Sequence, residues 1–397
     1  MGLPVRGSST ADTPGLGLVV REWGRIGCLG FGGPPAHIRL LRDLCVVQHS
    51  WLEPEEFEDA VATCNLLPGP ASTQLAILCA WRLRGTVGAI LGGLSFILPG
   101  FVMIVALASL FLSTAPPRWV LAAGAGAGAA VAAVAVRAGL DLIPTSWSRS
   151  RAATDRGWMR WIGYGVLGLL AAATLGPFIV LVLLACGLAE LLIRVRPETT
   201  RTHSVGAVAL FAWAVGSVPG VWTALAWVAF KVGALSYGGG FVIVPLMQGD
   251  AVERYHWMTG PQFLNAVALG QITPGPVVLT IAVVGFAAAG VLGASFAAAV
   301  AFSPSFIFVL VGARHFDRLR SNRKASAFLG GAGPAAIGAI LGSAVPLSRA
   351  LSEPWQWAVL VSAGLLLLVL RRSTVLTLLS AALGGVVLVL LGAPLPA

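Results

Sequence analysis

The sequence predicts an all-α polytopic membrane protein of two inverted six-span repeats with broken helices, about 13 transmembrane segments in total. The 397 residues are 57% hydrophobic and only 11% charged, whereas a soluble domain carries about 25% charged residues. A pair of glycine- and proline-rich breaks occurs twice, and basic loops alternate between equivalent places in the two halves. Because so little polar surface is available for water, the composition indicates a chain that lies in a bilayer.

Two breaks interrupt the apolar first half, and both recur in the second half at the same offset of 206 residues. They read Phe-Gly-Gly-Pro-Pro at 31–35 and Leu-Pro-Gly-Pro at 67–70, then Tyr-Gly-Gly-Gly at 237–240 and Thr-Pro-Gly-Pro at 273–276. Between the breaks, Trp51 matches Trp257 and Phe57 matches Phe263 in the same register. This agreement indicates a tandem duplication.

Apolar runs that approach or exceed the ~20 residues of a spanning helix occur along both copies. In the first copy they are 16–46, 58–80, 86–113, 118–138 and 159–193, the last divided in two at Gly176-Pro177. In the second copy they are 221–247, 264–287, 291–313, 326–345, 355–370 and 373–393. The short run 204–218 would add one span between two six-span units, and an odd insertion makes the second unit run upside down.

The chain accordingly divides into a polar tail (1–15), a first repeat (16–196), a connecting segment with a short linker helix (197–220) and a second, inverted repeat (221–397). Basic residues test this division. After the third span the first copy carries only Arg118, whereas the second carries five basic residues between 314 and 324, and after the fourth span the bias reverses. The positive-inside rule then places equivalent loops on opposite faces and the strongly basic loops in the cytoplasm. We expect a multi-pass protein of the plasma membrane, the inner membrane of a bacterium.

Several function classes are disfavoured by the same composition. The net charge of +10 does not indicate nucleic-acid binding, because the basic residues cluster between apolar runs, where membrane orientation places them. The five cysteines lie in or beside apolar stretches without a C-x-x-C spacing, which is typical of small buried hydrophobes. The sequence shows neither metal-ligand spacing nor a polar catalytic cluster, so no metal, cofactor or enzymatic reaction is expected. A membrane-embedded enzyme is kept as a remote alternative.

The paired breaks favour a transporter, because binding sites in inverted-repeat transporters are lined by unwound backbone and half-helix ends near the midplane. After Pro70 the chain reads as a helix start, whose first N–H groups lack intrahelical partners. Ser72, Thr73 and Gln74 add side-chain donors, which makes a neutral nest suited to an anion. The equivalent start in the second copy loses most of these donors. Backbone approach to the substrate is assigned to the glycines of the breaks, Gly32, Gly33, Gly69, Gly238, Gly239 and Gly275.

Charged and amide side chains near the breaks complete the predicted site. Lys231 lies inside an apolar run, and Arg25 occupies the equivalent position in the first copy. A charge at the centre of a membrane helix costs about 2.5–3.5 kcal/mol, which a bound anion would offset. The alternatives are snorkelling to the interface and, for Arg25, neutralisation by Glu22. His37, Asn65 and Gln271 are also assigned to substrate binding, and Glu22 and Asp59 are the candidates for proton coupling.

These motifs resemble those of the chromate ion transporter family. The resemblance rests on residues 31–38, 67–74, 238–240 and 274–276 and covers roughly residues 16–395. It implies a two-domain inner-membrane protein that exports chromate, with proton-coupled antiport usually proposed. The chain departs from the family pattern at Tyr237, where Phe is usual, and at Phe241, where His is frequent. Some family members are linked to sulfate, so these departures bear on the substrate.

Membrane energetics favour export. One charge moved through 100 mV is worth about 2.3 kcal/mol, so a divalent oxyanion leaving a negative-inside cell gains about 4.6 kcal/mol. Few carboxylates suited to coupling uptake to protons are visible. We predict a secondary transporter that exports chromate, coupled to the proton gradient or the membrane potential, with the anion, protons and lipid as its partners. The alternative is a transporter of sulfate or another anion, which includes uptake, and the sequence is compatible with a homodimer.

Overall fold

The computed structural model describes residues 14–396 except positions 66, 68 and 114 and the ranges 154–156, 176–178, 195–219, 237–242 and 313–322. The described part of the chain is helical and contains no strand. Its α-helices are α1 (Leu16–Leu29), α2 (Pro34–Arg42), α3 (Pro54–Cys64), α4 (Ala71–Phe111), α5 (Arg118–Ala153), α6 (Gly157–Thr174), α7 (Ile179–Arg194), α8 (Val221–Leu235), α9 (Ile243–Gln248), α10 (Gly260–Ile272), α11 (Thr280–Gly312), α12 (Arg323–Arg349), α13 (Pro354–Gly364) and α14 (Thr374–Leu390). The predicted span 204–218, the division at Gly176-Pro177 and the glycines Gly238 and Gly239 lie outside the described residues.

Four helical segments are long and apolar enough to cross a bilayer: Ala71–Phe111, Arg118–Ser148, Val277–Gly312 and Arg323–Arg349. On α4, Leu94, Leu98 and Val102 are each more than half exposed and repeat every four residues, so they form one apolar outer stripe. An exposed apolar stripe of this kind is stable against lipid tails and unstable against water. The protein is an integral membrane protein.

Local conformations recur between the halves at the predicted offset. Segments of π-helix at Asp43–Gln48 and Gly249–Arg254 follow α2 and α9. After each, a non-glycine residue adopts positive φ, Ser50 at 48° and His256 at 51°. Glycines of the Pro-Gly-Pro breaks also match, with φ of 117° at Gly69 and 96° at Gly275. These correspondences agree with a duplication.

Helix α4 consists of two antiparallel arms, residues 71–83 and 86–111. The reversal occurs at Arg84 and Gly85, where φ is −139° and 60°. A Cβ atom at Gly88 would overlap Ala80 O, because the second arm folds back directly along the first. Helix α11 reverses in the same way at Ala289 and Gly290, with φ of −154° and 61°. Each half therefore places a short arm and a long arm side by side.

Helices α1 and α3 both run antiparallel to the short arm of α4. Trp23 of α1 donates from Nε1 to Ala76 O at 2.8 Å, and Arg82 at the end of the short arm donates to Glu56 O in the first turn of α3 at 2.7 Å. The outer ends of α3 and of the short arm consequently lie together, and the Leu-Pro-Gly-Pro break forms the inner tip between them. The run 58–80, predicted as one span, thus contains a helix end, a break and a helix start.

The two halves exchange their later helices. Helix α5 packs against α13 and α14 of the second half, and α12 packs against α6 and α7 of the first half. Small residues allow backbone contact at these crossings: a Cβ atom at Gly168 would overlap Ala335 O, and one at Gly385 would lie 2.9 Å from Gly126 Cα. Close backbone approach through small residues is the usual basis of helix association in membranes. Helix α5 is longer than the predicted run 118–138 because it continues past Pro144.

Neighbouring glycines of α14 provide a test of this packing. Gly385→Ala places a methyl group against Ala122 O and Gly126, whereas a Cβ atom at Gly384 meets nothing within 4 Å. We expect Gly385→Ala to lower the melting temperature of the purified protein, and Gly384→Ala to leave it unchanged or raise it, since alanine favours helix by about 0.8–1.0 kcal/mol over glycine. Thermal unfolding in detergent measures both. Equal melting temperatures for the two variants would contradict the packing.

Candidate functional site

The broken ends of the two halves meet in the interior. Gly275 N–H, in the second Pro-Gly-Pro break, donates to Gly30 O at the end of α1 at 3.1 Å. A Cβ atom at Gly69, in the first such break, would lie 3.3 Å from Gly233 O of α8 and 3.5 Å from Ser305 Oγ of α11. Each break therefore contacts elements of the opposite half. We call the region defined by Gly30, Gly69, Gly233, Gly275 and Ser305 the crossing site.

His37 joins the first glycine break to the start of α4. Gly33 has φ of 74°, and α2 begins directly after it with Pro34 and Pro35. One turn later the His37 ring is fully buried, with Nε2 2.9 Å from Gly30 O and Nδ1 3.2 Å from Ser72 Oγ. Because a carbonyl can only accept, a neutral ring carries its proton on Nε2 and accepts the Ser72 hydroxyl at Nδ1. The histidine thereby fixes Ser72.

The start of α4 presents a polar turn at the crossing site. Ser72, Thr73 and Gln74 are all buried, with 2% or less of each exposed. The N–H groups of Thr73 and Gln74 donate to Pro70 O at 3.0 Å, so the helix start offers the N–H groups of Ala71 and Ser72. Gln74 Nε2 would lie 2.6 Å from a Cβ atom at Gly69, so its amide occupies the space beside the break.

Several buried donors near the breaks have no hydrogen-bond partner among the described residues. They are Thr73 Oγ1, Ser236 Oγ, Ser305 Oγ and Gln271 Nε2. An unpartnered buried polar group costs about 1–3 kcal/mol, and such a set requires an explanation. A polar ligand that accepts hydrogen bonds is one way to satisfy such donors.

Ser236 and Ser305 are related to first-half residues by the duplication. Ser236 corresponds to Gly30, and Ser305 follows Pro304 as Gly100 follows Pro99. Gly30 and Gly100 both contact Gly275, so their counterparts are expected beside Gly69, as the 3.5 Å approach of Ser305 shows. Sequence reasoning missed both serines, although a hydroxyl directly before the second glycine break and another inside an apolar helix were visible signals.

Lys231 is buried, and its Nζ forms an ion pair with Asp250. The lysine belongs to α8 and the aspartate to the π-helical segment after α9. Lys231 Nζ also lies 5.6 Å from the ring centroid of Trp227. Asp250 Oδ1 has no hydrogen-bond partner among the described residues. Sequence reasoning did not select Asp250, although it is an acid flanked by the apolar α9 run.

Except for Gln271, the other predicted side chains lie away from the crossing site. Arg25 is half exposed and pairs with Glu22 one turn earlier on α1, at 2.7 Å. Asn65 caps α3 and is exposed, and Asp59 is exposed on the same helix. Gln271 is buried in the last turn of α10, directly before the break that contains Gly275. The structure thus brings together the polar turn of α4, His37 and Gly275, and leaves Arg25, Asn65 and Asp59 outside.

Comparison with known proteins places this arrangement in a family. A family model described as "Chromate transporter" matches residues 18–191 and 223–387, one match in each half. The chain belongs to the chromate transporter family. Among curated relatives, the chromate transport protein of Cupriavidus metallidurans is 32% identical over 389 residues, which cover 95% of this chain and 94% of that protein.

Two further relatives agree with this assignment. The probable chromate transport protein of Synechococcus elongatus is 31% identical over 82% of each chain. The chromate transport protein of Pseudomonas aeruginosa is 30% identical over 83% of this chain and 80% of its own. No solved structure matches the chain. The family is one of transporters and not of enzymes, which removes the membrane-embedded enzyme as an alternative.

The buried ion pair provides a stability test. Lys231→Met leaves Asp250 buried without its partner, and loss of one member of a buried pair typically costs about 3–5 kcal/mol. In the first half the residue corresponding to Asp250 is Leu44, which is buried in apolar packing. We therefore expect Lys231→Met to lower the melting temperature and Lys231→Met/Asp250→Leu to recover most of the loss. Thermal unfolding in detergent measures the melting temperatures of the parent and both variants. A double variant that is no more stable than Lys231→Met would contradict the pairing.

Proposed function

We propose that this protein exports chromate, a tetrahedral divalent oxyanion, across the plasma membrane. The observation that carries the proposal is the set of buried, unpartnered donors where broken helices from both halves meet. Hydroxyl, amide and helix-start N–H groups are the donors that bind phosphate- and sulfate-like anions in other proteins. Curated relatives of similar length bear the name chromate transport protein.

In the proposed site, the start of α4 provides the principal contacts. Thr73 and Gln74 donate to the oxygens from their side chains and Ser72 donates from its backbone N–H, while Ser236 and Ser305 approach from the second half. His37 orients Ser72 through the contact at 3.2 Å. Gln271 binds from the end of α10. The break glycines leave room for the anion beside the backbone, a role that we propose for Gly32, Gly33, Gly69, Gly238, Gly239 and Gly275.

We place Arg25, Asn65, Asp59 and Glu22 outside this site. Arg25, Asn65 and Asp59 are exposed, and Glu22 is engaged by Arg25. Charge at the site then comes from Lys231, whose ion pair with Asp250 holds the surroundings close to neutral. While this pair is intact, the site binds a dianion through hydrogen bonds alone, which favours release.

We further propose that the two halves, 16–196 and 221–397, are inverted relative to each other, joined by the segment 197–220 and preceded by the tail 1–15. The contacts along the long arm of α4 support this. Its residue Phe96 packs against His37 at a ring distance of 5.0 Å, and a Cβ atom at Gly100 would overlap Pro274 O. Farther along, Phe111 lies against Gly124, which also adjoins Asn265 of α10.

The long arm of α4 therefore begins beside the outer end of the first half, where Gly88 adjoins Ala80, and finishes beside α10 of the second half. The outer end of the first half and that of the second half thus lie at opposite ends of one spanning helix. This is expected for inverted halves and not for parallel ones. The Arg82–Glu56 contact further supports a re-entrant hairpin for α3 and the short arm, which enters and leaves on one face. Each half would then have fewer than six full spans.

Export follows from charge and the membrane potential. A dianion that leaves a negative-inside cell gains about 4.6 kcal/mol per 100 mV, so the potential alone can drive outward movement. Of the two energy sources predicted, the proton gradient and the membrane potential, we propose that the potential drives export. Sulfate has the same shape and charge, and the donors at the crossing site suit both anions, so transport of sulfate is an outcome that the following measurement distinguishes.

Two glycines with positive φ provide the variants that test the proposed transport. Gly69→Ala places a methyl group against Gln74 Nε2 in the crossing site, whereas Gly85→Ala, also at positive φ, meets nothing within 4 Å at the reversal of α4. Both carry the cost of a backbone conformation that residues other than glycine rarely adopt, of order 1–3 kcal/mol. We expect Gly69→Ala to reduce chromate flux at least tenfold, and Gly85→Ala to retain the parent flux per molecule in the membrane.

Radiolabelled chromate and sulfate accumulation by inverted membrane vesicles measures this flux, with immunoblotting to normalise the protein amount. Chromate accumulation by the parent that exceeds sulfate accumulation supports the proposal. Absence of flux for both anions, or equal flux for the two glycine variants, would overturn it.

A further inference from the structure

We propose that Asp250 and Lys231 form a proton-linked charge switch, in which a proton bound to Asp250 frees Lys231 to compensate the anion at the crossing site. The inference rests on the proposed function, because it concerns how that same site is controlled. It assigns the proton partner to a residue that the sequence had not indicated and replaces Glu22 and Asp59 in that role.

The first half shows that the fold does not need this ion pair. Leu44 occupies the position of Asp250 and is 1% exposed, and Arg25 occupies that of Lys231 but points outward to Glu22. An apolar residue therefore suffices for the packing at the equivalent place. Burial of two charges costs several kcal/mol per ion before their attraction is counted. A buried pair that the duplicate lacks is better explained by function than by stability.

The position of the pair suits control of the crossing site. Lys231 of α8 is five residues before Ser236, which caps the end of this helix, about 7.5 Å along a helix axis. Two residues after Lys231, Gly233 O approaches the Gly69 position to 3.3 Å, so the end of α8 forms part of the crossing site. Over this distance, in a site shielded from water, an uncompensated cation attracts a dianion strongly. Asp250 cancels that attraction while it is ionised.

The pair also connects the two helices that flank the second glycine break. Lys231 belongs to α8, before the break, and Asp250 to the π-helical segment that follows α9, after it. Their ion pair braces the two sides together. Protonation of Asp250 would weaken this brace and create a cation at the same time. Binding of the proton and of the anion should therefore favour each other, since linkage is reciprocal.

Among the residues that the structure describes, few other titratable groups face the pair. Arg254 lies one turn after Asp250 on the same π-helical segment, and Tyr255 follows it, with its hydroxyl unpartnered among the described residues. Trp227 faces Lys231 from α8. Helices α9, α10 and α11, which pack around the pair, carry no titratable side chain. On α7, which touches α9, Glu190 is held by Arg160 and Arg194, and Cys186 is buried.

The direction in which anion affinity changes with pH follows from the charge of Asp250. At high pH Asp250 is ionised, Lys231 is paired, and anion binding is weaker. As pH falls and Asp250 takes up its proton, Lys231 becomes free and the anion affinity rises. We expect a rise of roughly tenfold between the two states, within the range of measured couplings between sites.

Equilibrium binding of radiolabelled chromate and sulfate to the purified full-length protein, measured across a pH series, tests the switch. Asp250→Asn imitates the protonated state and should bind tightly at every pH. Lys231→Met/Asp250→Leu introduces the apolar Leu44 of the first half and should bind weakly at every pH, with most of the stability of the parent. The exposed neighbour Glu253 provides the matched control, since Glu253→Gln should keep the pH dependence of the parent. Titration of the anion itself is common to all variants, so only differences between variants are interpreted.

The two proposals fail in different ways. A parent that neither binds nor moves either anion overturns the proposed function. A parent that moves chromate, together with an Asp250→Asn variant that retains the parent's pH dependence, overturns the switch alone. If Asp250→Asn does not fold, the double variant decides: retained pH dependence in Lys231→Met/Asp250→Leu likewise overturns the switch.

Discussion

Backbone polar groups inside a bilayer must find partners within the protein, and this constraint shapes the whole structure. Within the hydrocarbon region, an exposed N–H or C=O group costs several kcal/mol. The four breaks predicted from the sequence would each leave such groups unsatisfied if they faced lipid. The structure directs the described breaks inward, where one half supplies partners for the other: Gly275 N–H donates to Gly30 O, which also accepts from His37 Nε2. The interlocking of the halves follows from this requirement.

Duplication provides two similar scaffolds, and substitutions between them concentrate polarity on one side of the crossing site. Where the first half has Ser72 and His37, the second has Val278 and Ile243, and its helix start is apolar and buried. At two other positions the second half is the more polar one, because Ser236 and Ser305 correspond to Gly30 and Gly100 of the first half. Ser305 of the second half thereby lies beside Gly69 of the first. One polar site arises from two unequal copies, as a single bound anion would require.

Local and periodic features of the structure could be predicted from the sequence, because they depend on nearby residues. Breaks at Gly33, Gly69 and Gly275 appear where glycine and proline interrupt apolar runs, and α12 and α14 begin and end within a few residues of the predicted bounds. The run 264–287, predicted as one span, contains the end of α10, a break and the start of α11. Arrangement in space could not be predicted in this way. The contact of Arg82 with Glu56 shows that the outer ends of α3 and of the short arm of α4 lie together. Hydropathy could not predict this, because an apolar run has the same hydropathy in a hairpin as in a single span.

Electrostatic roles were the least predictable, because charge depends on partners that are distant in sequence. Arg25 and Lys231 occupy equivalent positions, yet one is exposed beside Glu22 and the other is buried against Asp250, 19 residues away. A cation read in isolation suggests a direct counter-ion for the substrate. With Asp250 as its partner, Lys231 has a charge that is cancelled while Asp250 is ionised and becomes available when Asp250 binds a proton. This distinction bears on transport, since a permanently charged site would bind a dianion tightly and release it slowly, whereas a site whose charge can be withdrawn can do both.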